Sequence, residues 1–168
     1  MLLPNTMSEA HTDLFAEQRK NLDTEITLVQ KAIDKFDDLI FKIKSFAVTI
    51  SLALLGFAVK ERIPVMALLG AVAAVMFWIQ ESVFKSFQRG YIYRMNRITR
   101  FLHSEDFAHA VRARDFGGFR TPDLNNHYFG TEREKRKTGF WRSALLMNVC
   151  ITYILLSTLS IVVYLFIR

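Results

Sequence analysis

Sulfur chemistry is nearly absent from this chain. Its 168 residues include one cysteine, Cys150, which excludes a disulfide framework and a thiolate metal site and leaves the redox compartment undetermined. Proline occurs three times and glycine seven times, so helices have few breakers and turn-rich β architectures are not expected. No strand-like alternation of useful length, internal repeat or low-complexity segment is found. Catalytic signatures are missing as well. There is no G-x-S-x-G, no Walker motif and no glycine-rich phosphate loop. His109 and His127 have no carboxylate or second histidine at ligand spacing, so no metal is expected. Arg97 and His103 stand apart by the Arg–His spacing of a metal-free ribonuclease, but that spacing is nonspecific and reads as a solvated helix face. No enzyme and no cofactor are expected. The opening stretch MLLPNTMSEAHTD lacks a basic start and an apolar run, so it does not read as a signal peptide.

What is present is apolar residue, 51% of the chain, and much of it lies in three blocks. Residues 45–59, 64–80 and 143–167 predict three transmembrane helices. The last has twenty-five residues without a charge, against the ~20 that a bilayer core requires. The first two are short. Fifteen residues rise only ~23 Å, but the third span already commits the chain to a membrane. The expected fold class is an all-α membrane protein with three transmembrane helices whose long helices extend into a cytoplasmic bundle. The expected division is an amphipathic helix over 1–44, the first span, an outer turn at 60–63, the second span, a cytoplasmic helical region over 81–142, and the third span.

Charge predicts orientation. Residues 1–44 carry six Lys and Arg, residues 80–142 carry thirteen, and three remain elsewhere. The positive-inside rule places the two rich segments in the cytoplasm, with the N-terminus inside and the C-terminus outside. Phe77 and Trp78 close the second span on the inner side, and Phe140 and Trp141 open the third there, as an interfacial aromatic belt would. The 80–142 segment has a net charge of +6, which suits an anionic leaflet. Nucleic-acid binding is not expected on this reading, because no basic stripe is interleaved with aromatics.

Leu22, Ile26, Val29, Ile33, Phe36, Ile40 and Ile43 alternate four- and three-residue steps, a heptad seam over three heptads. Ala47, Ile50, Leu54 and Phe57 continue it in phase, predicting one helix over 22–57 and a seam for self-association. Lys60, Glu61 and Arg62 form a tight turn, and Pro64 suits the first turn of the next helix. That helix is expected to run ~40 residues, antiparallel to the first. Gly70, Ala73, Phe77, Gln80, Phe84, Phe87, Tyr91, Ile98 and Phe101 lie on one face, interrupted by Arg94. Ala67, Gly70, Ala71 and Ala74 offer small-xxx-small spacing. Ser104 starts a short amphipathic helix that Gly117 and Gly118 end. Thr121, Pro122 and Asp123 have N-cap chemistry, and Gly130 closes that unit. Thr131 and Glu134 make a capping box, after which a third helix of ~36 residues runs unbroken through the last span.

The polar residues of that span are the main candidate site. Tyr153, Ser157, Ser160 and Tyr164 fall on one face, with Asn148 and Thr152 beside them. Polar groups in lipid face a partner helix or a water path. Together with Gly70 and Ala74 they read as helix-packing contacts or a pore lining. No charged residue lies within the span, which argues against a proton relay. Arg133, Lys135, Arg136, Lys137 and Arg142 form a juxtamembrane basic cluster, read as a positive-inside anchor with anionic-lipid contact as the sharper possibility.

A long amphipathic helix enters a short two-span hairpin and is followed by FWIQESVFKSFQRGYIYRMNRITRFL. Over about residues 20–103 this resembles the SLATT superfamily, small membrane proteins of prokaryotic conflict systems proposed to be pore-forming effectors. The third span departs from that two-span pattern. The resemblance implies an effector in the bacterial inner membrane, and the charge distribution places its C-terminus in the periplasm. The expectation is a homo-oligomer in contact with membrane lipids that forms or gates a pore on a cytoplasmic trigger, a protein or a small ligand. The alternative expectation is a pore-free scaffold that docks a cytoplasmic effector or signalling protein.

Overall fold

A computed structural model describes residues 5–123 and 139–168, with side chains from residue 13 onward. The described residues form five helices and no strand. These are α1 (Asn5–Glu61), α2 (Pro64–Leu102), α3 (Glu105–Ala113), α4 (Phe140–Ala144) and α5 (Met147–Ile167). Three of them, α1, α2 and α5, contain stretches long and apolar enough to cross a membrane. The capping box at Thr131 and Glu134, with Gly130 and His127, lies outside the described residues.

Local chemistry accounts for most helix ends. Helix α1 starts well before Leu22 and meets no proline, and its one glycine before the turn, Gly56, sits one turn from its end. Arg62 takes a left-handed conformation, φ 54°, and turns the chain into α2. Pro64 opens α2, where its missing N–H has no helical partner to lose. Gly90 does not interrupt α2, which runs 39 residues to Leu102. Ser104 caps α3 by accepting from the Phe107 amide, and Glu105 and Asp106 sit in the first turn, at the positive end of the helix dipole. Helix α3 ends at Ala113, three residues sooner than Gly117 would suggest, because Arg114 adopts φ 53°.

The chain divides into two compact units, one drawn from Met1–Ile33 with Gly90–Gly130, the other from Asp34–Arg89 with Thr131–Arg168. In the first, Leu22, Ile98, Ala110 and Phe116 form a buried core, with Phe15, Phe101 and Phe119 packed on it. Phe101 and Phe119 stack with ring centroids 3.9 Å apart. In the second, Phe36 meets Phe84 and Phe87, and Ala47, Ala74, Val149, Tyr153 and Leu156 form the core where α1, α2 and α5 meet. Leu55, Ala58 and Ala67 make a third cluster nearer the turn.

Two expectations need correction. The heptad phase of α1 does not persist to Phe57. After Ile43 the buried positions are Ala47, Ser51, Leu55 and Ala58, while Ile50 and Phe57 are 40% and 54% exposed. Successive four-residue steps replace the four–three alternation, a stutter that locally unwinds a supercoil. It also brings small side chains to the interface, which lets helices approach closely in lipid. The third helix is likewise not continuous. It breaks at Leu145 and Leu146, where Leu146 turns extended, ψ 133°. The Ala144 carbonyl freed by the break accepts from Trp78 Nε1 at 3.1 Å and from Cys150 Sγ at 2.8 Å. Side-chain donors thus satisfy backbone that a helix would otherwise satisfy, as a membrane site requires.

Candidate functional site

The second unit gathers polar side chains between its three apolar helices. Lys44 ends the polar stretch of α1, and Glu81 follows the apolar stretch of α2. Lys44 Nζ lies 3.2 Å from Glu81 Oε1, with Glu81 1% exposed. That oxygen has no aligned hydrogen bond among the described residues, so the contact is Coulombic. Tyr153 Oη donates to the other carboxylate oxygen at 2.7 Å. Side chains on a helix lean toward its N-terminus, which carries the Tyr153 ring back toward Glu81. Lys44 Nζ also donates to the Asn148 carbonyl at 2.7 Å in the first turn of α5. One buried carboxylate therefore ties α1, α2 and α5 together.

Deeper along the spans, Ser51 on α1 and Ser160 on α5 meet at Gly70. A Cβ added to Gly70 would stand 3.1 Å from Ser160 Oγ and 3.7 Å from the Ser51 carbonyl. Ser51 Oγ and Ser160 Oγ are buried and have no hydrogen-bond partner among the described residues. Leaving such groups unpaired costs about 1–3 kcal/mol each. Ser51 lies seven residues beyond Lys44 and Ser160 seven beyond Tyr153, so the polar groups succeed one another at heptad intervals inside the unit.

The candidate stripe of the third span is thus turned inward. Tyr153 and Ser160 are buried with Gly70 and Ala74, Ser157, Thr152 and Tyr164 are half-buried, and Asn148 is exposed but contributes its carbonyl. The outward faces are apolar, as Leu68, Val72, Ile154 and Leu165 illustrate. The seam of α1 is also occupied within the chain. Leu22 and Ile26 belong to the core with Ile98, Phe36 packs on Phe84 and Phe87, and Val29, Ile40 and Ile43 are buried. Ile33 is half-buried. Of the basic cluster, Arg133, Lys135, Arg136 and Lys137 lie outside the described residues. Arg142 is exposed, and its carbonyl accepts from Arg89 Nη1 at 3.4 Å. Burial, and after it the Arg142 charge, push the Arg89 guanidinium below its usual value.

Sequence reasoning treated Arg94 as an interruption of an apolar face and missed its partner. In the first unit Glu25 is fully buried and accepts from Arg94 Nε at 2.7 Å and Nη2 at 3.0 Å. It also accepts from Thr121 Oγ1 at 2.8 Å and from the Asp123 amide at 3.2 Å. Arg94 donates further to the Arg120 carbonyl and lies 5.3 Å from the centroid of the Phe119 ring. Every Glu25 oxygen is satisfied, which is what keeps a buried charge tolerable. The Thr121 hydroxyl is spent on Glu25, so the expected cap becomes a clamp. A cavity of about 380 Å³ in this unit is lined by Phe101, Asp106, His109, Asp115, Phe116 and Phe119. Arg97 and His103 are not brought together as a site. Arg97 is exposed, and His103 Nδ1 lies 2.8 Å from the Thr99 carbonyl of its own helix.

No known protein family matches the chain, and neither a curated protein nor a solved structure matches it.

Proposed function

We propose that this protein is an oligomeric effector of the bacterial inner membrane that opens a water path when a trigger acts on its cytoplasmic part. One observation carries the reading: Glu81, Tyr153, Ser51 and Ser160 are buried between apolar helices, with the half-buried Lys44 beside Glu81. Buried polar and ionisable groups at the edge of the spans and within them are expensive and often mark pathways, and unpaired hydroxyls are stabilised wherever water reaches them. The enclosed arrangement is the closed form. Opening turns these groups toward a lumen shared between copies, because three helices are too few to surround one. The SLATT resemblance adds the biological setting, membrane failure that halts an infected cell. A small-ligand trigger would bind in the cavity of about 380 Å³ beside His109.

The test is dye release from liposomes that hold the purified chain, beside membrane potential in cells that overproduce it. Loss of potential and oligomers in detergent are expected, and replacing Ser51 and Ser160 by leucine abolishes the leak. A strict monomer in tight liposomes, with cells that keep their potential, would sink the reading.

The largely apolar outward faces favour a second reading, a membrane anchor that presents the Glu25-clamped helices to a soluble effector or signalling protein. A stoichiometric soluble partner retained by non-toxic protein would favour it.

A further inference from the structure

The outward surface of the spans carries an apolar groove between α2 and α5. It measures about 410 Å³, and its lining includes Val75, Trp78, Leu145, Ile154 and Ile161, with the half-buried Ser157 at its edge. From the start of α5 to Ile161 it runs along ~21 Å of helix, a large part of the roughly 30 Å of a hydrocarbon core. Chain-like apolar ligands fit such a shape.

Beside Leu145 the surface changes character. Arg142 is three residues away, and Arg89 Nη1 is bonded to its carbonyl. Among the described residues neither arginine has a carboxylate partner. Burial first, and then the Arg142 charge, hold the Arg89 guanidinium below its usual value, and an anion held by both arginines relieves the repulsion between them. Helix α5 begins at Met147 behind an N-cap, Leu146, that makes no side-chain hydrogen bond, so the positive end of its dipole adds to the same positive field.

We propose that the groove and the Arg89–Arg142 pair form a binding site for one anionic phospholipid, its phosphate on the arginines and an acyl chain along α5. Each half argues against the other candidate occupants. A helix of a second copy fills the groove but leaves two cations uncompensated. Free phosphate answers the cations but leaves the groove bare. A zwitterionic lipid brings its own cation to a place where, among the described residues, no carboxylate pairs with either arginine.

The full chain is reconstituted in vesicles of equal phosphatidylglycerol and phosphatidylcholine, extracted in mild detergent, and its retained lipid measured by mass spectrometry. Wild type is expected to retain phosphatidylglycerol several-fold over phosphatidylcholine. The Arg89→Gln/Arg142→Gln protein loses that preference, and Ser157→Phe, which crowds the groove, lowers total retained lipid. An acyl-chain photoprobe on phosphatidylglycerol gives a readout on wild type alone, by labelling peptides between residues 145 and 161. Equal retention of both lipids by wild type, preference that survives loss of both arginines, or a label confined elsewhere would overturn the proposal. So would oxidative dimers joined through Cys150, which would put a second copy in the groove. The proposal does not depend on a pore. Tight liposomes with selective lipid retention would reject permeabilisation and leave the lipid site standing.

Discussion

Glu81 shows how one residue can hold three helices. Its carboxylate receives the Tyr153 hydroxyl on one side and the Lys44 ammonium on the other. Tyr153→Phe keeps the ring in the core and removes a single donor to a buried charge. It is expected to cost about 1–3 kcal/mol, read as a lower unfolding midpoint in detergent. Adding Glu81→Gln should recover part of that loss, since the unsatisfied group is then neutral. Glu25 makes the comparable case in the other unit. Glu25→Ala strands a buried Arg94 and is expected to cost about 3–5 kcal/mol, visible as faster amide exchange in α3. Replacing the pair together by Leu and Met should cost far less, because the buried charges go together and Asp123, which loses Arg94, is partly exposed.

At the scale of elements, Gly70 fixes how closely α1, α2 and α5 approach. A methyl group there stands 3.1 Å from Ser160 Oγ, tighter than ordinary contact. Gly70→Ala is expected to lower the unfolding midpoint, and Ser160→Ala in the same chain to restore most of it, a non-additivity that marks direct contact. Much of this level was legible. Pro64, Ser104 and the apolar stretches of α1, α2 and α5 are local signals, and each sits where local chemistry puts it. The break at Leu145 was not legible, because both leucines there favour helix and one of the two donors that compensate it is distant in sequence. Trp78 is 66 residues away. The ion pair of Lys44 with Glu81 left a signal that hydropathy windows discard. In an antiparallel hairpin, residues equidistant from the turn face each other, and Lys44 lies nineteen residues before Ile63 while Glu81 lies eighteen after it.

For the whole molecule, membrane residence is legible in the sequence, since α1, α2 and α5 are each long and apolar enough to span. Sidedness is an expectation from charge and can be tested directly. In a Cys150→Ser background, single cysteines at Glu61, Glu105 and Arg168 should react with a membrane-impermeant maleimide on intact spheroplasts at Glu61 and Arg168 only. Labelling of Glu105 first would invert the topology. The polar stripe of the third span was legible as a pattern, but its direction was not. Periodicity shows that Tyr153 and Ser160 share a face, whereas only the packing of α1 and α2 against that face shows it turned inward.

Cys150 has a practical consequence. It is the one thiol in the chain, and its hydrogen is engaged by the Ala144 carbonyl across the interruption between α4 and α5. Its alkylation rate is therefore a built-in clock for that joint. If the two helices part, the sulfhydryl is released and modification accelerates. Native protein, without an engineered label, can report in real time whether a stimulus reaches the third span.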